Sequence, residues 1–303
     1  MDIIVLLQQA VLNHASDIFV VAGLPVSYRA NGRICREKEE KLMPPQTKEC
    51  VEELYKLAGG RDIRVLEEKG DDDFSFAVPG LSRFRVSAYK QRGALSAVIR
   101  VITFELPEPN EIGIPDPVMS FYNLSKGLVL VTGPAGSGKS TTLACLVDKI
   151  NHSMEKHIIT LEDPIEYLHR HDKSIVSQRE INVDTESYVN ALRASLRQSP
   201  DVILLGEMRD YETIDVETGH LVFSTLHTIG AANTVDRIID VFPANQQRQI
   251  AVQLSMVLQA VISQQLVPTV DGKQVPVFEI MTITPAIRNM IRDNKVPQID
   301  GVV

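Results

Sequence analysis

Residues 133–140 read Gly-Pro-Ala-Gly-Ser-Gly-Lys-Ser, with Gly133 and Gly138 enclosing four residues and followed directly by a lysine and a hydroxyl. Glycines let such a loop turn backbone N–H groups inward around phosphate oxygens. The lysine supplies a point charge for β- and γ-phosphates, and the serine hydroxyl suits Mg²⁺. The apolar run Leu128–Val131 ahead of the loop reads as a buried strand, and a helix follows with Leu143, Leu146, Val147 and Ile150 on one face. That strand–loop–helix context is the one a phosphate-binding loop requires. Gly133, Pro134, Ala135, Gly136, Ser137, Gly138, Lys139, Ser140 and Thr141 are therefore candidate nucleotide-binding residues, with ATP and Mg²⁺ as the expected ligands.

Hydrolysis of a triphosphate needs a metal held between phosphates and a water oriented for in-line attack. Carboxylates at strand tips beside the loop suit both tasks. Asp201–Glu207 is an apolar run closed by an acid, with Gly206 interposed, and Glu162 and Asp163 end the strand expected at His157–Leu161. The strand Leu221–Leu226 ends in His227, with His220 at its other end. Short apolar strands alternating with helices, such as Ser187–Arg197, indicate a parallel α/β sheet. Ligands of such sheets bind beyond the carboxyl ends of the strands, which gathers Glu162, Asp163, Glu207 and His227 around the loop.

The elements before the loop form a different kind of unit. An amphipathic helix opens the chain, since Ile3, Ile4, Leu7, Ala10 and Val11 follow helical spacing and Asp2 replaces the basic start of a signal peptide. Strands at Ile18–Ala22 and Val26–Cys35, helices at Thr47–Leu57 and Asp62–Lys69, and strands at Asp73–Val78, Arg83–Lys90 and Leu95–Ile102 follow. This is an α+β arrangement. In the second-last strand Phe84, Val86 and Ala88 share one face, while Arg83, Arg85, Ser87 and Tyr89 share the other, and Gln91-Arg92-Gly93 turns the chain. Those arginines read either as a solvated face or as phosphate ligands. Pro107, Pro109, Pro115 and Pro117 mark a stiff segment, so the expected division is 1–106, a linker at 107–116, and 117–303. Asp116-Pro117 reads as the start of a helix running to about Leu124.

The whole chain has 303 residues, enough for two domains, and a net charge of −8. An acidic balance disfavours a nucleic-acid partner, because backbone affinity comes from basic side chains. Three scattered cysteines without a C-x-x-C pair point to a reducing cytosol and exclude a zinc site of that type. No apolar run reaches the length of a membrane span.

Taken in order, the blocks GPAGSGKST, TLEDPIEY, LLGEMRD and GHLVFSTLHT resemble the Walker A, aspartate-box, Walker B and histidine-box motifs of the secretion-superfamily ATPases. RFRVSAYKQRG is similar to their arginine-bearing N-terminal strand. Ala286-Ile287-Arg288-Asn289-Met290-Ile291 resembles the C-terminal helix of the PilT-type retraction motors of type IV pili. The resemblance implies a RecA-like P-loop ATPase core joined to a smaller PAS-like α+β domain. It further implies a homo-hexamer on the cytoplasmic face of the inner membrane, acting through a pilus platform protein to drive retraction. By the same resemblance Glu162 positions or activates the attacking water, Glu207 acts with Ser140 on Mg²⁺, and His227 senses the γ-phosphate. One or more of Arg83, Arg85 and Arg92 would approach that phosphate.

The chain departs from the family between Glu207 and His220, where only twelve residues intervene and a parallel crossover with its helix needs at least about 10–12. The family has a longer alanine-rich helix there, so several residues are expected to be missing. A pilus-assembly or type II secretion ATPase is the near alternative to retraction. A RecA-like DNA translocase is disfavoured by the charge, and a nucleotide-binding scaffold with little turnover is disfavoured by the full set of Glu162, Glu207 and His227.

Overall fold

The computed structural model describes residues 2–30, 32–36, 39–102, 104–207, 219–270 and 274–302. The chain divides into two compact units, Met1–Phe104 and Glu105–Val303. The expectation of missing residues between Glu207 and His220 falls on 208–218, outside the described residues.

In the first unit, helix α1 (Ile3–Leu12) starts where the Asp2 carboxylate accepts the Ile4 N–H at 2.9 Å, a cap worth about 1 kcal/mol. Strands β1 (Asp17–Val20), β2 (Ser27–Ala30) and β3 (Arg33–Arg36) come next, then α2 (Pro44–Leu57) and α3 (Arg64–Lys69). Helix α2 begins earlier than its sequence reading because Pro44 and Pro45 occupy its first turn, where a missing N–H costs nothing. Strands β4 (Asp71–Val78), β5 (Ser82–Gln91) and β6 (Ala94–Ile102) complete an antiparallel sheet of order β3-β2-β1-β6-β5-β4. The alternation in β5 holds. Phe84, Val86 and Ala88 are buried with Leu6, Leu7, Val51, Leu54 and Leu66 of the three helices. Arg92 and Gly93, both with positive φ, make the two-residue turn to β6 that matches the twist of a hairpin.

Asp72 of β4 is a buried charge of this unit, as is Asp17 of β1. Tyr55 Oη donates to Asp72 at 2.8 Å, and Arg61 donates through Nε and Nη2 at 2.8 Å each. Burial alone would raise the carboxyl, but the bonds from Arg61 and Tyr55 hold it below the usual range.

In the second unit the sheet order is β13-β12-β7-β11-β10-β8-β9. The chain enters through a short helix, α4 (Asp116–Met119), which continues as a 3₁₀ turn at Ser120–Asn123. It then runs β7 (Gly127–Thr132), α5 (Lys139–Ser153), β8 (His157–Glu162), β9 (Ile175–Glu180), α6 (Tyr188–Ser195), β10 (Val202–Leu205) and β11 (Leu221–Leu226). Helices α7 (Ala231–Asp240) and α8 (Ala244–Val257), strands β12 (Leu258–Pro268) and β13 (Gln274–Thr282), and helix α9 (Pro285–Arg292) follow. All pairings are parallel except β12 with β13. Buried on both faces, β7 sends Leu128 and Leu130 into the core under α6–α9 and Val129 and Val131 into the core under α4 and α5. Residues 107–116 pack with this unit. Ile114 is buried in its core, and Cys145 Sγ donates to the Pro107 carbonyl at 3.6 Å.

Two outcomes check these cores. Leu130→Ala should destabilise the second unit by about 2–5 kcal/mol in denaturant titration, since β7 has no free side into which the cavity can collapse. Because the Asp72 pKa is depressed, its stabilising contribution is complete above the ordinary carboxylate pKa of about 3.9 and is lost as pH falls through the lower folded value. Melting temperatures of Asp72→Asn against pH should therefore show a shallower acid limb than wild type.

Candidate nucleotide site

The loop between β7 and α5 is shaped by close approaches. Gly133 has φ +142°, and a Cβ there would lie 2.0 Å from the Gln264 carbonyl oxygen on β12. Gly138, at φ +87°, forms the left-handed cap from which α5 starts. Gly136, at φ +75°, faces open space. The loop thus delivers the N-terminus of α5, with its unpaired N–H groups, to one rim of a cleft. Lys139 lies beneath that rim and donates through Nζ to the carbonyls of Gly133 and Pro134, both at 2.9 Å. Burial pushes its ammonium down, against the pull of Glu207 and Glu166.

Lys139, Ser140, Glu162, Asp163, Glu207 and His227 line the same cleft, as the strand-end reading requires. Glu162 ends β8, where Thr160 Oγ1 donates to its carboxylate at 2.5 Å and Gln178 Nε2 at 3.3 Å. Burial pushes the Glu162 carboxyl up, and these two bonds offset part of the shift. Glu207 follows β10 through Gly206, whose missing Cβ would stand 2.8 Å from Tyr188 Oη and 3.3 Å from the Leu161 carbonyl. That crowding explains the glycine interposed before the acid. Thr225 Oγ1 donates to the Gly206 carbonyl at 2.5 Å, tying β11 to the same turn. His227 Nε2 lies 3.7 Å from Glu207 Oε1. His220 is at the opposite end of β11, where its carbonyl accepts the Gly127 N–H, and is not part of the cleft.

Residues of ordinary type complete the site and escaped sequence reading. Gln178 of β9 donates to Glu162 and to the Tyr167 carbonyl, and accepts the His169 N–H. Tyr167 Oη lies 3.0 Å from Thr141 Oγ1. Gln264 of β12 touches the loop from behind. Nothing local signals Gln178, since the Ile-Val-Ser-Gln-Arg-Glu of β9 has no apolar–polar alternation, and nothing local signals Gln264. The remaining expected residues belong to the first unit: Arg83 and Arg85 are on the β5 face opposite its helices, and Arg92 is in the β5–β6 turn. The donor set suits a polyphosphate and a hard cation. It offers glycine-lined backbone at a helix start, a buried ammonium, the Ser140 hydroxyl, and a carboxylate at Glu207.

Residues 2–297 match the family model described as type II/IV secretion system protein. The chain belongs to this family. It is 45% identical over 308 aligned positions to a Pseudomonas aeruginosa protein described as type IV pilus retractation ATPase PilT, covering 100% of this chain and 89% of that one. It is 40% identical to the type IV pilus ATPase PilU of the same organism, covering 97% and 78% of the two chains. A crystal structure described as the pilus retraction motor PilT with bound ADP superposes with a TM-score of 0.90 at 46% identity, covering 100% of this chain and 89% of that one. The family's fold, a RecA-like P-loop core with a smaller α+β unit ahead of it, is the fold found here.

The two glycines of contrasting surroundings give a direct check. Gly136→Ala, with no atom within 4 Å of its Cβ, should cost only the about 1–2 kcal/mol of a left-handed backbone. Gly133→Ala must also push β12 away from the loop, adding about 1–3 kcal/mol of overpacking. Denaturant titration of both variants should rank them in that order.

Proposed function

We propose that the protein is an ATP-hydrolysing motor of the type IV pilus that works in retraction and twitching motility. It acts as a homo-hexamer at the cytoplasmic face of the inner membrane, against a pilus platform protein. The observation that carries the reading is Glu162, held by Thr160 and Gln178 in the cleft that Lys139 and the loop rim enclose. The names of the relatives direct it towards pilus retraction. Among the described residues no helix is long and apolar enough to cross a membrane.

The chain's own groups divide the work. Backbone N–H groups of the loop and Lys139 seat the β- and γ-phosphates, with Lys139 exchanging its two carbonyl acceptors for phosphate oxygens. Glu162 accepts the proton of the water that attacks the γ-phosphorus, while the bond to the β-phosphate oxygen breaks and ADP leaves. Glu207 and Ser140 would hold Mg²⁺, which when bound neutralises charge on the phosphate oxygens. His227, beside Glu207, reports the state of the γ-phosphate. Positive charge from Arg83, Arg85 or Arg92 stabilises the transition state.

Glu162→Gln should retain ATP binding and lose steady-state hydrolysis, and turnover surviving that change would move the base to another residue. Since the Glu162 pKa is raised and a base must be ionised, the acid limb of kcat/KM should lie above the ordinary glutamate value of about 4.3. Gln178→Leu removes a bond that favours the carboxylate and should shift that limb to still higher pH. Deleting the gene in its host should leave cells with excess pili, whereas loss of pili would make the protein an assembly motor.

A further inference from the structure

Gln264 sits one residue past the last β12–β7 pair, Ser263 with Thr132, and so lies beside the first residue of the phosphate loop. Its side chain is buried. Nε2 donates to the Ser137 carbonyl at 2.8 Å, and Oε1 accepts from Thr142 Oγ1 at 2.7 Å. A backbone carbonyl can only accept, so the amide nitrogen must be the atom facing Ser137, and the Thr142 hydroxyl completes the assignment. The same residue occupies the space next to both glycines that bound the motif. Its carbonyl oxygen is 2.0 Å from the Cβ position of Gly133, and its Nε2 is 2.9 Å from that of Gly138.

We propose that Gln264 is a positioning residue for phosphate binding, a role that rests on the nucleotide reading above. A trans peptide places the carbonyl of one residue and the N–H of the next on opposite sides of its plane. By drawing the Ser137 carbonyl backward, Gln264 turns the Gly138 N–H forward, into the concave side of the loop. Thr142, one turn into α5, keeps the amide from flipping and presenting its oxygen to Ser137. The glycines at 133 and 138 are then required by the strand behind the loop as well as by the phosphates in front of it. Gln264 touches no phosphate in this arrangement. It acts through the direction of one peptide.

The test is Gln264→Met, close in size and without a donor, measured for ATP, pyrophosphate and adenosine binding, for kcat and KM, and for melting temperature. Affinity for ATP and for pyrophosphate should fall about tenfold, the loss expected of one hydrogen bond and its misdirected neighbour. Adenosine affinity should be unchanged, and KM should rise about tenfold with kcat held within about threefold. The double variant with Thr142→Val should be no weaker than Gln264→Met alone, because the threonine acts only through the amide. If Gln264→Met does not fold, Thr142→Val by itself carries the same expectation at about threefold. Unchanged phosphate affinity in a folded variant, or an equal loss for adenosine, overturns the proposal. A wild-type chain that bound neither ATP nor pyrophosphate would instead overturn the nucleotide reading, and this role with it.

Discussion

The approach of β12 to the start of the phosphate loop is the contact on which the site depends. A carbonyl oxygen of Gln264 fills the place of a side chain at Gly133, so the loop cannot relax toward the sheet. It must turn outward and begin α5 at the rim. The parallel neighbours of β7 then bring their own C-terminal ends to the same level, with β11 presenting His227, β10 Glu207 and β8 Glu162. Strand order places those groups at increasing distance from the loop within the sheet, yet all at its carboxyl edge. One steric contact and one topological rule therefore assemble the chemistry.

Much of this was legible because the signals are local or follow from strand direction. The loop carries its own grammar of glycines, lysine and hydroxyl, and Glu162, Glu207 and His227 each end an apolar run. The hidden parts lack punctuation. Between α8 and β12 the sequence Ala-Val-Gln-Leu-Ser-Met-Val-Leu-Gln-Ala-Val-Ile passes from helix to strand with no glycine or proline. The change of conformation at Leu258 is imposed by pairing with β7 rather than by any local residue. Gln178 and Gln264 are plain glutamines whose importance lies in what they face across the sheet. The proline-rich stretch holds a further signal beneath its prolines. Its apolar Ile114 has a core to enter, and burial outweighs the stiffness that its prolines lend.

The two units solve the problem of buried charge differently. In the first, Asp72 meets a bidentate guanidinium and a phenol, so all three groups are satisfied within the fold and the carboxylate is stable. In the second, among the described residues, Lys139 donates to two neutral carbonyls with Glu207 and Glu166 acting on it through space, and Glu162 accepts from a hydroxyl and an amide. Burial moves the Lys139 ammonium down and the Glu162 carboxyl up, each toward its uncharged form. The fold has supplied partners that hold these groups in position without neutralising them.

That difference separates a structural charge from a functional one. A triphosphate brings to Lys139 the anionic acceptor that the fold withholds, so binding favours the charged ammonium and draws it from the loop carbonyls. Glu162, with an elevated proton affinity, is suited to take a proton from water when the γ-phosphorus is attacked, which an ordinary exposed carboxylate does poorly near neutral pH. Both properties come from the same desolvation, and both need the loop, β8 and β10 to keep their positions when charge enters the cleft. Gln264 and Gln178, neutral and each bonded through both the nitrogen and the oxygen of its amide, meet that requirement without adding a charge that would compete with the phosphates.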